Sequence, residues 1–251
     1  MDIESGANER IKRLVRLRRR RYRSAEGVFV AEGEDVQKAL AAGLVPIELY
    51  RPEDVGDEIP AVEVFVCSER ALTKASYGSD PSAVIGVFEA RTRELGHLSP
   101  GEPGFVLIAE DLEKPGNFGA ILRTADAFGV DAVVLTGNVD PFNPNVIRAS
   151  RGAVFTVPFA ITELEPAIAW CRKWGLRIHA ATPHGGRPPW ATDLAPAIAL
   201  MVGAEDTGLT AGAIAAADDV VTIPMLGSID SLNVSVSVAM LAYEVLRQRS
   251  S

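Results

Sequence analysis

The spacing of hydrophobic positions divides the chain into two α/β units. In the second unit, six short runs of consecutive apolar residues are typical of strands buried on both faces. These strands are predicted at residues 105–109, 132–136, 154–158, 177–181, 198–202 and 220–224. Apolar residues at three- and four-residue spacing predict helices at residues 117–128, 145–152, 163–174, 211–217 and 231–249. The alternation predicts a mostly parallel sheet covered by helices on both faces.

The first unit begins with an amphipathic pattern that predicts one helix over residues 8–24, ended by Gly27. Strands follow at residues 28–30, 46–50, 62–67 and 83–89, with helices at 33–42 and 69–76. The stretch 91–104 is polar and rich in glycine and proline, as in a linker. We therefore expect a domain over residues 1–92, a linker over 93–104 and a second domain over 105–251.

The composition is that of an ordinary globular protein: 251 residues, 47% hydrophobic and 23% charged. This excludes a disordered chain and a disulfide-stapled miniprotein. Apolar runs fall short of the ~20 residues of a membrane span, and the N-terminus lacks the apolar core of a secretory signal. Cys67 and Cys171 lie far apart, which favours reduced thiols. We expect a cytoplasmic protein without a membrane partner.

The charge distribution is uneven. The net charge is −8, yet residues 1–23 hold nine basic and three acidic side chains. Four consecutive arginines repel one another without an anionic partner, so this arm is a candidate RNA-binding segment. The alternative is a solvated helix face. The candidate RNA-binding residues are Arg13, Arg16, Arg18, Arg19, Arg20, Arg21 and Arg23.

Three clusters of polar residues and glycines follow predicted strands, at 110–119, 203–210 and 225–235. Ligands of open α/β sheets bind beyond the carboxyl ends of the strands, so these clusters are candidate site segments. Taken singly, each has a structural alternative: Asn117, Thr210 and Ser231 are each a candidate helix cap.

Several familiar chemistries are excluded by missing motifs. The chain has no G-x-G-x-x-G, no phosphate-binding G-x-x-x-x-G-K-[ST] and no G-x-S-x-G. His97, His179 and His184 are not clustered with each other or with the cysteines, so no metal is expected.

Residues 114–135 (KPGNFGAILRTADAFGVDAVVL), 200–210 (LMVGAEDTGLT) and 223–243 (IPMLGSIDSLNVSVSVAMLAY) resemble the three motifs of the SpoU/TrmH family. These SPOUT-class enzymes are S-adenosylmethionine-dependent RNA ribose 2′-O-methyltransferases. Residues 8–33 (NERIKRLVRLRRRRYRSAEGVFVAEG) resemble the family's N-terminal substrate-binding domain, which has the L30e fold. The chain is most similar to the ribosomal RNA branch, which includes antibiotic-resistance methyltransferases.

The resemblance implies a trefoil-knotted SPOUT domain behind a smaller L30e-like α/β domain, and a homodimer whose motif-one residues complete the partner's site. It assigns S-adenosylmethionine to Gly203, Ala204, Ile223, Met225 and Leu232. It also assigns catalysis to Asn117, Arg123, Glu205, Ser231 and Asn233. The family pattern is not matched everywhere, since Asp206, Thr207 and Thr210 replace residues that are more common there.

Arg123 is expected to clamp a phosphate and stabilise a developing alkoxide, because a guanidinium essentially does not deprotonate in proteins. Glu205 is then either the proton acceptor or the group that orients Arg123. The expected function is ribose 2′-O-methylation of 23S ribosomal RNA. The alternatives are a transfer-RNA methyltransferase of the same family and a non-catalytic RNA-binding module on the same fold.

Overall fold

A computed structural model describes residues 2–56, 59, 61–78, 80 and 82–250. Its contacts separate two compact units, Met1–Arg91 with Asp140–Phe155, and Thr92–Val139 with Thr156–Ser251. Residues 140–155 thus group with the first unit, although they lie within the expected second domain. The expected boundaries of the two domains and the linker stay a prediction.

The first unit is built around a four-stranded sheet. Its elements are α1 (Glu9–Leu17), α2 (Arg20–Glu26), β1 (Val28–Glu32), α3 (Glu34–Ala41), β2 (Glu48–Arg51), β3 (Glu63–Val66), α4 (Glu69–Ala75) and β4 (Ile85–Glu89). The strand order is β1-β4-β2-β3, with β2 and β3 parallel and the other pairs antiparallel. Ile11, Leu14 and Leu17 of α1 are buried in its core, as their spacing predicts.

The single N-terminal helix predicted over residues 8–24 is wrong. The chain forms α1 and α2, separated at Arg19, whose backbone is extended. The break is stabilised by Arg23, which donates hydrogen bonds to the carbonyl oxygens of Leu17 and Arg18 at 2.8 Å. Terminal helix carbonyls need such partners. Gly27, in a left-handed conformation, ends α2 as expected.

The remaining elements are β5 (Phe105–Ala109), α5 (Pro115–Ala127), β6 (Ala132–Leu135), α6 (Pro144–Ser150), α7 (Ala153–Thr156), β7 (Phe159–Ile161), α8 (Leu164–Lys173), β8 (Arg177–Ala181), β9 (Ile198–Val202), α9 (Ala211–Ala216), β10 (Asp219–Val221) and α10 (Val234–Arg249). The strands form a sheet of order β10-β8-β9-β5-β6-β7, in which every neighbouring pair is parallel. All residues of β5, β6 and β9 are buried. The predicted mostly parallel sheet is confirmed.

The strand predicted at 154–158 is also wrong. Residues 153–156 are helical, and the strand paired with β6 lies at Phe159–Ile161. Val154 and Val157 are buried, and the half-buried Phe155 stacks on Phe29 of the first unit with 5.7 Å between ring centroids. Phe142 stacks on the same ring at 4.7 Å. Tertiary packing therefore explains the hydrophobic run without a strand.

No helix of the part of the chain described here is long and apolar enough to cross a bilayer. Cys67 and Cys171 are both buried and free. Burial raises the pKa of Cys67 to about 11 and that of Cys171 to about 12, so both thiols stay protonated at neutral pH. Within the described residues, no group of three or more histidine, cysteine, aspartate or glutamate side chains could hold a metal ion.

Candidate active site

A cavity of about 430 Å³ lies at the carboxyl ends of β8, β9 and β10 in the second unit. Its walls are the loops that follow these three strands and the first turn of α10. All five residues assigned to the cofactor by resemblance line it: Gly203, Ala204, Ile223, Met225 and Leu232. Glu205 and Ser231, assigned to catalysis, also line it. The structure therefore brings two of the three sequence clusters to one cavity.

Gly203 permits the tight loop that forms one wall of this cavity. A Cβ atom at this position would lie 2.1 Å from the carbonyl carbon of Gly208 and 2.3 Å from the backbone nitrogen of Leu209. The backbone nitrogen of Gly208 donates a hydrogen bond to the carbonyl oxygen of Ala204 at 2.9 Å, which closes the loop. A side chain at Gly203 would therefore displace the loop itself.

Glu110 anchors the far end of the same loop and was missed by the sequence analysis. Its buried carboxylate accepts hydrogen bonds from the backbone nitrogen and the hydroxyl of Thr210, both at 2.8 Å. Thr210 in turn caps α9 by accepting from the backbone nitrogen of Ala213 at 3.1 Å, which confirms its interpretation as a helix cap. A carboxylate directly after a buried strand was the available signal, because a buried charge needs hydrogen-bond partners.

The loop after β8 forms a second wall of the cavity and was also missed. The hydroxyl of Thr182 donates to the carbonyl oxygen of His184 at 2.6 Å, and the backbone nitrogen of Thr182 donates to the carbonyl oxygen of Val221 at 3.0 Å. Thr182 and His184 both line the cavity. No motif marks this loop in the sequence, since its shape depends on pairing with residues some 40 positions later.

A hydrogen-bonded cluster of four polar side chains reaches the cavity through Glu205. The Asn233 amide donates to the Asn117 side-chain oxygen at 3.2 Å and to one carboxylate oxygen of Glu205. Lys114, which was not predicted, donates to the other carboxylate oxygen. This hydrogen bond and the charge of Lys114 lower the pKa of Glu205 below its ordinary value, and the same hydrogen bond and the charge of Glu205 raise the pKa of Lys114. Glu205 is therefore an ionised, oriented acceptor at neutral pH.

The helix-cap interpretations of the other cluster residues are wrong. Asn117 lies inside α5, whose first residue is Pro115. The cap of α10 is Asn233, which accepts from the backbone nitrogen of Ser235 at 3.0 Å, and not Ser231. Asn233 therefore uses its side-chain oxygen for the helix and its amide nitrogen for Asn117 and Glu205.

Arg123 is not brought to this cluster. It is exposed on α5, and no hydrogen bond or ion pair joins it to another residue that the structure describes. It follows Asn117 by six residues, so the two side chains leave the helix about 120° apart. Within one chain, Arg123 does not line the cavity, and its catalytic role stays a prediction.

The arginine run contains side chains held by other parts of the first unit and side chains that are exposed. Arg23 is buried and forms an ion pair with Asp140. Arg13 pairs with Glu26 at 2.7 Å and with Glu48 at 2.6 Å. Arg18 donates to three carbonyl oxygens at the end of α4, at 2.6–3.1 Å. These contacts give Arg13, Arg18 and Arg23 structural roles, whereas Arg16, Arg19, Arg20 and Arg21 are exposed.

The cavity fits the cofactor that the resemblance implies. Its volume lies in the range of ~300–1,000 Å³ that is typical of small-molecule sites. The apolar side chains of Leu209, Ile223 and Leu232 suit an adenine ring. Asp206 and Asp230 also line it, and neither forms a salt bridge with a described residue, so both are available to a cationic ligand.

Comparisons with known proteins agree with this geometry. Residues 104–243 match the SpoU rRNA Methylase family, and residues 8–86 match the MRM3-like substrate binding domain. The chain is 29% identical over 248 residues to the 23S rRNA (guanosine(2553)-2′-O)-methyltransferase RlmP of Bacillus subtilis, covering 97% of this chain and 98% of the relative.

Two solved structures superpose on the whole chain. An RNA 2′-O ribose methyltransferase is 38% identical with a TM-score of 0.87, and each chain is covered completely. An AdoMet-bound rRNA methyltransferase from Sinorhizobium meliloti is 28% identical with a TM-score of 0.86, covering 98% of this chain and 97% of the other. A match over more than half of the chain, with the cavity and its polar cluster in the matched region, establishes the family: this protein belongs to the SpoU rRNA methylase family.

Proposed function

We propose that this protein transfers the methyl group of S-adenosylmethionine to a ribose 2′-hydroxyl of 23S ribosomal RNA. The observation that carries the proposal is the contact of the Asn117, Glu205 and Asn233 cluster with a cavity that fits the cofactor. The substrate class is supported by the similarity to a 23S ribosomal RNA methyltransferase, and the cofactor by the similarity to an AdoMet-bound ribosomal RNA methyltransferase.

The residues of the cluster match what the reaction requires. The bound cofactor would supply an electrophilic methyl carbon on a sulfonium. A ribose hydroxyl is a weak nucleophile, so the protein must orient it and accept its proton. Glu205, ionised and held by the Asn233 amide, can accept a hydrogen bond from the hydroxyl and then its proton. Ser231 supplies a second polar contact from the same cavity wall.

The low pKa of Glu205 bears on this role. A carboxylate paired with Lys114 is a weak base, because the ammonium stabilises its ionised form. The ammonium is the more exposed partner, with 63% of the Lys114 side chain accessible against 15% for Glu205. We infer that an RNA phosphate draws Lys114 away from Glu205, which makes the carboxylate more basic when substrate is present.

A homodimer is part of the proposal. Four large apolar side chains on α10 are exposed at helical spacing: Val236, Met240, Tyr243 and Leu246. Such an exposed apolar stripe is typical of an interface. Exposed Arg123 lies on α5, which packs against α10 in the same unit. A second copy docked on this face would bring Arg123 near the partner's cavity, where it would clamp the RNA phosphate and stabilise the developing alkoxide.

The cellular setting follows from the substrate. We place the reaction in the cytoplasm, which is consistent with two buried, protonated thiols.

The proposal is tested by incubating the protein with tritiated S-adenosylmethionine and, separately, with purified 23S ribosomal RNA and transfer RNA. We expect label in 23S ribosomal RNA that alkali leaves in dinucleotides, because a 2′-O-methyl group blocks cleavage of the adjacent phosphodiester. Label released as mononucleotides would indicate base methylation and contradict the proposal. Label confined to transfer RNA would overturn the substrate class while leaving the chemistry intact.

A further inference from the structure

Tyr77, directly after α4 in the first unit, lies beside two guanidinium groups. The Arg148 guanidinium carbon is 4.8 Å from the centroid of the Tyr77 ring, and that of Arg18 is 6.0 Å away. The Tyr77 side chain is 39% exposed, and Arg148 is exposed. We call Tyr77 and Arg148 the stacking pair. Neither residue belongs to a sequence motif that the proposed function uses.

The stacking pair is held in place by residues beneath it. Arg148 lies on α6, within the segment 140–155 that is part of the first unit. This segment is fixed by the buried ion pair of Arg23 with Asp140 and by the stacking of Phe142 on Phe29. The backbone nitrogen of Tyr77 donates to Glu32 at 2.7 Å. Both members of the pair therefore project from ordered backbone.

Arg148 has no compensating anion among the described residues. Among the described residues, the Arg148 guanidinium donates to the neutral side-chain oxygen of Asn145 at 3.2 Å. The nearby carboxylates are used elsewhere: Glu32 accepts from Ser76 and Tyr77, and Asp35 pairs with Lys38 at 3.2 Å. An exposed guanidinium over an aromatic ring, without an acidic partner, favours an anionic ligand that also carries a flat ring.

The size of the adjoining cleft limits what can bind there. The cleft has a volume of about 50 Å³ and apolar walls that include Leu14, Leu17 and Ile147. This is far below the ~300 Å³ of a typical ligand pocket, so a ring cannot be enclosed and must stack on the surface. Unpaired nucleobases bind proteins by stacking on aromatic side chains and on guanidinium planes, and their phosphates bind arginine.

We propose, building on the proposed function, that Tyr77 and Arg148 form a stacking site for an unpaired nucleotide of the RNA substrate. Arg148 would contact the phosphate and extend the stack, and Tyr77 would support the base. The exposed Arg19 and Arg16, close in sequence to Arg18, would contact flanking phosphates. A base inside a duplex is already stacked, so the site selects single-stranded segments.

The test measures the affinity of the full-length protein for a fluorescein-labelled, non-self-complementary 12-nucleotide RNA by anisotropy, with a blunt 12-base-pair RNA duplex for comparison. Y77A is expected to weaken single-strand binding about tenfold, since base stacking on an aromatic ring contributes ~1–3 kcal/mol. Y77F keeps the aromatic ring, so its affinity for the single strand should stay within about twofold of that of wild type. Duplex binding should change little in either variant.

Arg148 variants separate charge from stacking and do not disturb the core, because Arg148 is exposed. R148A should weaken single-strand binding and reduce the log–log salt dependence by ~0.7 unit, the value for one phosphate contact. R148K should restore the salt dependence but not the full affinity. The matched control is R70A, which removes an exposed arginine on α4 of the same unit.

Two further measurements separate this inference from the proposed function. Calorimetry of S-adenosylmethionine and methylation of 23S ribosomal RNA are run on the same proteins. The stacking site alone would be overturned if the wild-type protein binds the cofactor and methylates RNA while Y77A and R148A bind single strands as tightly as R70A does. The proposed function would be overturned, and the stacking site supported, if the wild-type protein neither binds the cofactor nor methylates any RNA while Y77A still weakens single-strand binding.

Discussion

Each unit holds an acid paired with a base, and the two pairs differ in exposure. In the first unit, Arg23 and Asp140 are 4% and 17% exposed at their side chains. In the second unit, Lys114 is 63% exposed while Glu205 is 15% exposed. A buried charge that loses its partner is strongly destabilising, whereas an exposed cation is well solvated without one. The first pair therefore stabilises the fold, whereas the second can separate at little cost, as the proposed movement of Lys114 to an RNA phosphate requires.

The position of each pair supports this distinction. Arg23 also donates to the carbonyl oxygens that end α1, so its hydrogen bonds and its ion pair with the described residues all lie within the first unit. Glu205 lines the cavity and accepts from the amide of Asn233. Charge alone does not separate a structural residue from a functional one; the exposure of the cation and the adjacent cavity do. The following variants test that conclusion.

The largest effect is expected for Glu205→Gln on methyl transfer. The amide keeps the size of the side chain but loses the negative charge that accepts the ribose proton, so turnover should fall ~100-fold or more. Cofactor affinity by calorimetry and the unfolding midpoint should stay close to wild type. A loss of less than about fivefold would be far smaller than general-base catalysis contributes, and would exclude Glu205 as the proton acceptor.

Arg23→Ala should give the largest loss of stability. It leaves Asp140 without its cation and the end of α1 without its hydrogen bonds, at a cost of ~3–5 kcal/mol in the free energy of unfolding. Urea denaturation measures this. Lys114→Ala is the matched variant of the exposed pair and should cost less than ~1 kcal/mol. Equal losses in the two variants would contradict the distinction between the pairs.

Gly203→Ala tests the wall of the cavity with a single methyl group. Because a Cβ atom would collide with the backbone of Gly208, we expect a displaced loop, a loss of ~1–3 kcal/mol in stability and weaker S-adenosylmethionine binding. Gly212→Ala is the control, since a Cβ there has its nearest neighbour at 3.8 Å. Unchanged cofactor binding by Gly203→Ala would remove this loop from the cofactor site.

The smallest effect concerns His179, a buried residue of β8 whose ring nitrogens have no hydrogen-bond partner among the described residues. Burial lowers its pKa below the ordinary value of 6.5, so the unfolded chain binds the proton more readily. The contribution of His179 to stability is therefore complete above pH 6.5 and is lost as the pH falls from there toward its folded pKa. His179→Leu should flatten the stability profile below pH 6.5, measured by thermal unfolding at several pH values. A profile as steep as that of wild type would assign the acid sensitivity to other groups.

The sequence alone identified the parallel sheet, most helices and two of the three loops that line the cavity. Buried parallel strands appear as continuous apolar runs, and β5, β8 and β9 match their predicted bounds. The polar clusters at strand ends were informative because parallel strands place their carboxyl ends at one edge of a sheet. The three motifs supplied the family, and hence the five residues assigned to the cofactor. These features depend on local pattern and on chain direction, which a sequence displays.

Tertiary structure alone decided which charged residues are structural. The arginines of residues 18–23 are alike in sequence, yet Arg23 is buried by Asp140, more than 100 positions away, and Arg19 is exposed. Glu110, Lys114 and Arg148 acquired their roles in the same way, through Thr210, Glu205 and Tyr77. The physical reason is that desolvation and hydrogen bonding depend on neighbours in space, and long-range packing sets those neighbours after the local pattern has fixed the helices and strands.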